Sequence, residues 1–254
     1  KLTDAVRHAV DYVGADADDI LGVGVTVPGI LDDEKQILIS APPLKAKNYD
    51  FTRLISAIDY PVVVMNDARA EAYADHWFNG KPEDEKIYIM LGEGVGGAYI
   101  NASAIRNGVH NRGGEFGHMV IHPGGKQCLC GKKGCFEAYV SEKVLSSELD
   151  MTLDNFFELA AQGNKNNSNV LDEYMDNLAL GINNIYTMMD CDIVLGGTVA
   201  PYLKQYDNSI KERLVNDYSF DTDADYLRIS DGGGRKSGLG AALSFVARFI
   251  DGVE

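Results

Sequence analysis

The chain has 254 residues, with 23 Lys and Arg against 38 Asp and Glu and a formal net charge of −15 at pH 7. Apolar residues make up 45% and charged residues 24%, which is typical of globular proteins and excludes disordered, collagen-like and coiled-coil classes. The acidity argues against duplex DNA binding by these residues, because affinity for DNA phosphates comes mainly from Lys and Arg. The length is enough for two lobes, which we expect.

The sequence gives no sign of membrane insertion or secretion. No apolar run reaches the roughly 18 residues of a membrane span, and the first residues alternate charged with apolar positions, unlike a signal peptide. We therefore expect a soluble, cytoplasmic protein. Because the sequence begins with Lys and not Met, we also expect it to be a piece of a longer protein that lacks upstream sequence.

In the first third of the chain, buried strands alternate with amphipathic helices. The hydrophobic pattern predicts helices over 3–13, 51–58 and 68–78, strands over 21–30 and 60–67, and turns through most of 31–61. Asn66 and Asp67 come at the carboxyl end of the second strand. The polar stretch 79–86 is interpreted as a lobe boundary.

The rest of the chain continues the alternation. The pattern predicts a hairpin over 86–100 with glycines at its tip, strand-like pieces up to Ile121, helices over 135–149, 152–161, 170–189 and 200–216, a loop over 163–169, strands over 192–197 and 226–230, and a closing helix over 238–250. Strands that alternate with helices and end in glycines indicate an α/β protein, with ligands at the carboxyl ends of strands.

A group of Cys and His residues suggests a metal site. The ligands would be His118, Cys128, Cys130 and Cys135, spaced His-x9-Cys-x-Cys-x4-Cys. Four such ligands satisfy tetrahedral zinc and leave no open position, so we expect a structural and not a catalytic ion. Two alternatives stay open. The thiols could lie beside a His by chance, or His122 could be the ligand, which ranks lower because only His118 ends a Glu-x-x-His unit.

Six motifs make the chain resemble a known family. They are PG at 28–29, NDARAEA at 66–72, LGEGVGG at 91–97, GGEFGH at 113–118, CLCGKKGCFE at 128–137 and VLGG at 194–197. In this order they resemble the ROK family of sugar kinases and sugar-responsive repressors. The resemblance implies an α/β sugar kinase/Hsp70/actin-like (ribonuclease H-like) fold, with two lobes around a cleft and the N-terminal lobe truncated.

The resemblance also implies how the chain is divided. Residues 1–78 would be the remainder of the N-terminal lobe, on which a closing helix within 238–254 packs back. Residues 79–237 would be the C-terminal lobe, with a zinc loop at 113–137 that braces the sugar site.

The same resemblance implies a set of sugar ligands. The matching positions are Gly29, Asn66, Asp67, Glu115, His118 and Glu137. Carboxylates and amides suit this purpose because they bond adjacent sugar hydroxyls. In the kinases the residue matching Asp67 is the general base. Each carboxylate also has a structural interpretation, as an N-cap for Asp67, a surface charge for Glu115 and helix-dipole compensation for Glu137.

Nucleotide phosphates in the kinases are held by two turns, one of which is an Asp-x-Gly-x-Thr-like hairpin that this sequence lacks. The glycines that match nucleotide-binding positions are Gly92, Gly94, Gly96, Gly97, Gly196 and Gly197. Glu93 stands where the second turn usually carries Thr, so a carboxylate would face the phosphates and repel them. Alternatively, Glu93 swings into solvent and matters little.

These features favour the sugar-binding effector part of a ROK-type transcriptional regulator, a homodimer or tetramer that binds DNA through a winged-helix domain absent from this chain. Sugar in the cleft would shift the lobe arrangement and thereby DNA binding. The alternative is a ROK hexose or N-acetylhexosamine kinase that uses Mg-ATP and lacks its N-terminal strands. A third interpretation is a zinc scaffold without a small ligand.

Overall fold

The computed structural model describes residues 2–102, 104–218, 220–231 and 236–252. Its strands are β1 (Val23–Val27), β2 (Ile30–Asp32), β3 (Ile37–Ala41), β4 (Ala46–Asp50), β5 (Val62–Asn66), β6 (Glu85–Leu91), β7 (Val95–Asn101), β8 (Ala104–Ile105), β9 (Asp192–Gly196) and β10 (Leu227–Ile229). Its helices are α1 (Leu2–Val13), α2 (Thr52–Ile55), α3 (Asp67–Asn79), α4 (Glu137–Val140), α5 (Glu142–Leu145), α6 (Leu153–Ala161), α7 (Lys165–Met189), α8 (Ala200–Leu203), α9 (Asp207–Arg213) and α10 (Lys236–Ile250).

The chain divides into two compact units. Unit 1 comprises Lys1–Phe78 and Lys236–Glu254, and unit 2 comprises Asn79–Arg235. Each unit has its own sheets and its own apolar core, as described next.

The centre of unit 1 is a parallel pair of strands, β1 and β5, whose register ends with Val27 opposite Asn66. Helix α10 packs against β1. This close approach depends on Gly24, because a Cβ added there would lie 2.7 Å from the backbone carbon of Ala241. The pairing places Asn66, and Asp67 directly after it, at the carboxyl end of β5.

A three-stranded antiparallel sheet in the order β2-β3-β4 completes unit 1. The prediction of turns through most of 31–61 is therefore wrong, and the predicted helix over 51–58 is reduced to α2. The strands are only three to five residues long, and β4 is largely exposed, so no long alternation marks them in the sequence. Leu31 and Leu38 of this sheet share a small core with Val64 of β5.

The side chain of Gln36 connects the β2–β3 hairpin to β5. Its Oε1 accepts a hydrogen bond from Val64 N at 2.8 Å, and its Nε2 donates to Val64 O at 3.3 Å. Nε2 also donates to Asp33 O at 2.6 Å. The hairpin is thereby fixed to the strand that ends at Asn66.

Unit 2 is built on a mixed sheet in the order β10-β9-β6-β7-β8. Strands β6, β9 and β10 run parallel, whereas β6 and β7 form the antiparallel hairpin predicted over 86–100. Successive side chains of β6, such as Ile87, Tyr88 and Ile89, are fully buried. Burial of both strand faces explains the continuous apolar run that made this strand easy to recognise. The apolar sides of α6 and α7 contribute to the same core.

Several segments of unit 2 are more broken than predicted. Between β7 and Ile121 the structure has the short strand β8, turns and a 3₁₀ segment at Phe116–His118, instead of a series of strands. The predicted helix over 135–149 is divided into α4, α5 and a final 3₁₀ turn. The predicted helix over 200–216 is likewise interrupted, by a 3₁₀ turn between α8 and α9.

Helix α7 begins earlier than predicted. The expected loop over 163–169 is helical from Lys165, because the Asn164 side chain accepts hydrogen bonds from the N–H groups of Asn166 and Asn167 and caps the helix. At 25 residues α7 is the longest described helix, but polar residues recur along it. Over the described part of the chain, no helix combines the length and apolar character needed to cross a membrane.

Candidate functional site

The predicted metal ligands come together in unit 2. One ligand atom from each of four side chains lies within 4.8 Å of the others, namely those of His118, Cys128, Cys130 and Cys135. Cys130 Sγ is 3.7 Å from Cys135 Sγ, and Cys128 Sγ is 3.8 Å from His118 Nδ1. A tetrahedral ion with Zn–S distances of about 2.3 Å separates its sulfur ligands by about 3.8 Å. The four side chains are therefore spaced so that they could hold one metal ion.

Two glycines shape the loop that carries the cysteines. Gly131 and Gly134 have φ angles of +90° and +82°, which residues with a Cβ rarely adopt. A Cβ at Gly134 would also collide with the carbonyl oxygen of His122. Around this turn Ile121 N donates to Gly134 O, and Val120 pairs with Cys135 in an isolated antiparallel bridge. Backbone pairing thus folds the loop back so that its thiols approach one another.

His122 lies outside this group. Its Nε2 is 2.5 Å from Asn177 Oδ1, and its ring packs edge-on against Tyr139 at 4.7 Å between centroids. The cluster contains His118, as the Glu-x-x-His unit had suggested.

The thiol pKa values reflect the surroundings of the cluster. Burial raises the pKa of Cys128 and that of Cys135. Burial acts in the same direction on Cys130, but hydrogen bonds from the Lys132 backbone and the neighbouring thiols outweigh it and lower its pKa. Buried thiolates require a nearby positive charge, and a divalent metal ion supplies it.

Two carboxylates adjoin the cluster, one beside His118 and the other beside Cys128. Glu115 Oε2 lies 3.7 Å from His118 Nε2, so the two ring nitrogens of His118 face different partners. Glu137 Oε1 lies 3.5 Å from Cys128 Sγ, and Glu137 Oε2 accepts a hydrogen bond from Val95 N at 3.0 Å. Glu137 therefore connects the cluster to the start of β7, in addition to standing in the first turn of α4.

In unit 1 the polar residues at the end of β5 form a second group. Asn66 Oδ1 accepts a hydrogen bond from Arg69 N at 2.9 Å, and Asn66 Nδ2 donates to Gly29 O at 2.9 Å and to Asp67 Oδ1 at 3.2 Å. The bond to Arg69 N is the N-cap bond of α3, so the capping group is Asn66 and not Asp67. Asp67 Oδ1 accepts instead from the N–H of Ala68 at 2.9 Å.

An ion pair that was not predicted from the sequence lies beside this group. Arg69 Nη1 lies 3.1 Å from Asp33 Oδ2, and the Arg69 side chain is only 4% exposed. The pair ties α3 to the β2–β3 hairpin. The Arg inside the NDAR motif is visible in the sequence, but its burial and the identity of its partner depend on tertiary structure.

The two glycine turns predicted for nucleotide binding lie at neighbouring strand ends in unit 2. Met90 of β6 is paired with Gly196 of β9, and Val199 N donates to Leu91 O at 3.1 Å. The turn between β6 and β7 carries Glu93 with an exposed side chain. In open α/β sheets ligands bind at such carboxyl ends of parallel strands.

The predicted ligands therefore form separate groups, some in unit 1 and the others in unit 2. Unit 1 contains Gly29, Asn66 and Asp67 in mutual proximity. Unit 2 contains the metal-type cluster with Glu115 and Glu137 beside it, and the glycine turns.

Fold and site together define an α/β protein with a Cys₃His loop able to hold a metal ion. The ROK family model matches residues 1–246, and the chain belongs to the ROK family.

Known relatives include both repressors and kinases. The xylose repressor of Bacillus subtilis (strain 168) is 29% identical over 201 residues, which cover 76% of this chain and 52% of the repressor. The glucokinase of Streptomyces coelicolor is 34% identical over 146 residues, which cover 57% of this chain and 46% of that enzyme. The chain spans about half the length of these curated relatives.

A solved structure confirms the expected fold class. The ROK family glucokinase from Streptomyces griseus in complex with glucose and AMPPNP has a TM-score of 0.80 and 25% identity, over 95% of this chain and 86% of that one.

Proposed function

We propose that this chain is the sugar-binding effector part of a ROK-type transcriptional regulator. Two features of unit 2 carry the proposal. Glu115 and Glu137 adjoin the Cys₃His cluster, and their carboxylates suit sugar hydroxyls. The glycine turn between β6 and β7 carries the exposed carboxylate of Glu93. The first feature supports a sugar ligand, and the second opposes a nucleotide. The similarity to a xylose repressor supports the same choice and makes a pentose the first ligand to test.

The proposed metal is zinc in a structural role. Three thiolates and an imidazole suit Zn²⁺, and four protein ligands leave no position for a substrate or water. Bound zinc would supply a fixed positive centre for the loop 113–137. His118 would then be held through Nδ1, with Nε2 and Glu115 directed toward the sugar.

We further propose that Asp67 and Glu137 are sugar ligands. Asn66 is 9% exposed and bonded to Gly29 and Arg69, so it sets the position of Asp67 at the start of α3. Asp67 would accept a bond from a sugar hydroxyl, as would Glu137 from unit 2. A sugar that binds one conformation of the chain more tightly would favour it, which in a dimer or tetramer could alter DNA binding by a domain outside this chain.

A sugar kinase is the second candidate, favoured by the 34% identity to a glucokinase. In that case Mg-ATP would be the co-substrate, Asp67 the general base and the glycine turns the nucleotide site.

The decisive experiment titrates the chain with xylose, glucose and N-acetylmannosamine by calorimetry, with and without Mg-ATP, while ADP release is followed. The regulator proposal expects one sugar to bind equally in both conditions and no ADP to form. Sugar-dependent ADP release would show that the chain is a kinase. Binding of no sugar would contradict both proposals and favour the zinc scaffold without a small ligand.

Two substitutions locate the sugar. Asp67→Asn and Glu137→Gln should each weaken binding at least about tenfold, because a bond to a charged acceptor contributes roughly 1.5–3 kcal/mol. Asp59→Asn, an exposed carboxylate in unit 1, is the control and should change nothing. A variant that binds sugar as tightly as the native chain would contradict the role of its residue as a sugar ligand.

A further inference from the structure

The glycine turn between β6 and β7 is surrounded by carboxylates of the same unit. Glu142 lies at one end of the turn, Glu137 at the other and Glu93 on the turn itself. We propose that Glu142 is the residue that closes this turn to nucleotide phosphates. The inference deepens the proposed function and rests on it, since it explains how a chain that binds a sugar would exclude ATP from this turn.

Glu142 is fixed against the turn at two points. Its backbone N–H donates to Gly92 O at 2.7 Å, so the first residue of α5 is anchored to the turn. Its carboxylate Oε2 accepts a hydrogen bond from the Thr198 hydroxyl. That hydroxyl oxygen also lies 3.4 Å from Leu91 O, at the residue that begins the turn.

Thr198 matters because it bears a hydroxyl donor beside the turn. A Cβ added to Gly92 would lie 3.8 Å from its Oγ1, in ordinary van der Waals contact. Hydroxyl and backbone N–H groups at a glycine turn are the donors that a phosphate requires. With Glu142 as its acceptor, the Thr198 hydroxyl is directed to a carboxylate of the same chain.

The other end of the turn is engaged in a similar way. Val95 N donates to Glu137 Oε2 at 3.0 Å, and a Cβ added to Gly94 would lie 2.8 Å from the same oxygen. Gly92 N donates within the turn, to Gly94 O at 3.0 Å. A polyphosphate at this turn would have to displace carboxylates from these donors and would face their charge at short range.

Glu142 differs from Glu93 in its freedom to move. Glu93 is exposed, so its side chain is able to turn away from an incoming phosphate. Glu142 is half-buried and held by both its backbone and its carboxylate, so its charge stays at the turn. This difference makes Glu142 the stronger determinant.

The test is calorimetric titration of the chain with Mg-ADP. The variants are Glu142→Gln, which keeps the side-chain size, and Glu142→Gln combined with Glu93→Thr. The control is Glu83→Gln, which removes the same charge from an exposed side chain before β6. Glu83 is about 20 Å from the turn, at the opposite end of a seven-residue strand.

The expected result is that Glu142→Gln raises the association constant for Mg-ADP about tenfold, that the double variant raises it further, and that the control leaves it unchanged. Equal affinity in the native chain and Glu142→Gln would overturn the inference, as would a gain no larger than that of the control. Failure of the double variant to bind Mg-ADP, with its melting curve unchanged, would overturn it as well.

Sugar titrations on the same samples separate this inference from the proposed function. Loss of sugar binding in every sample, including the native chain, would contradict the proposed function whatever the nucleotide does. A native chain that binds sugar but gains no nucleotide affinity from Glu142→Gln would contradict only the role of Glu142.

Discussion

Replacing Asn66 with Ala is expected to destabilise unit 1 by about 2 kcal/mol. The substitution removes the cap bond to Arg69 N and the bond from Nδ2 to Gly29 O, both 2.9 Å long. Loss of an N-cap side chain costs about 1 kcal/mol, and loss of a further hydrogen bond about 1 kcal/mol. Asn66→Ser should cost about half as much, because Ser caps a helix as well as Asn does but does not reach Gly29.

Urea denaturation followed by tryptophan fluorescence measures this cost in unit 1. The single tryptophan, Trp77, lies on α3, the helix that Asn66 caps, and is 36% exposed. Unit 2 serves as the control, since Asn164→Ala removes the cap of α7 and should leave the Trp77 transition unchanged. Equal costs for Asn66→Ser and Asn66→Ala, or a cost for Asn66→Ala below about 0.5 kcal/mol, would refute the reasoning.

Three further predictions concern metal, pH and backbone geometry. Elemental analysis should find about one zinc per chain in the native protein, much less in Cys130→Ser and the native amount in Cys191→Ser, because the last thiol lies outside the cluster. A hydrogen bond to a carboxylate of α6 raises the pKa of Tyr202 from 10.0 to about 12, so its contribution to stability is present below pH 10 and lost between about pH 10 and 12. Urea midpoints should therefore fall less over that range in Tyr202→Phe than in the native chain. Gly134→Ala should abolish zinc binding because its Cβ meets backbone, whereas Gly124→Ala, with a similar positive φ and no atom within 4 Å, should retain it.

The parts of the fold that the sequence predicted are those with long local patterns. The buried run of β6, the hairpin with β7 and the long amphipathic α7 are each visible within one segment. The short strands β2, β3 and β4 were missed, because three to five residues with exposed polar positions resemble turns. Their sheet exists because Leu31 and Leu38 reach the core of unit 1, which is a tertiary effect.

The candidate site divides in the same way. His118 was preferred to His122 because only His118 ends a Glu-x-x-His unit, and the cluster contains His118. The alternative interpretation of Asp67 as the cap of α3 was wrong, since Asn66 and Asp67 both suit the position and only geometry separates them. The contact between Glu142 and Thr198 joins residues 56 positions apart, so no local sequence pattern predicts it.

The hydrogen bonds between Gln36 and Val64 affect how readily unit 1 associates with other protein molecules. Strand edges attract other strands, because unpaired backbone N–H and C=O groups readily form intermolecular ladders. Here a side-chain amide donates and accepts at one residue of β5 just as a neighbouring strand would. A strand of another molecule must displace this amide before it can pair with β5 at Val64. Gln36 therefore opposes strand addition, and hence aggregation, at this residue of unit 1.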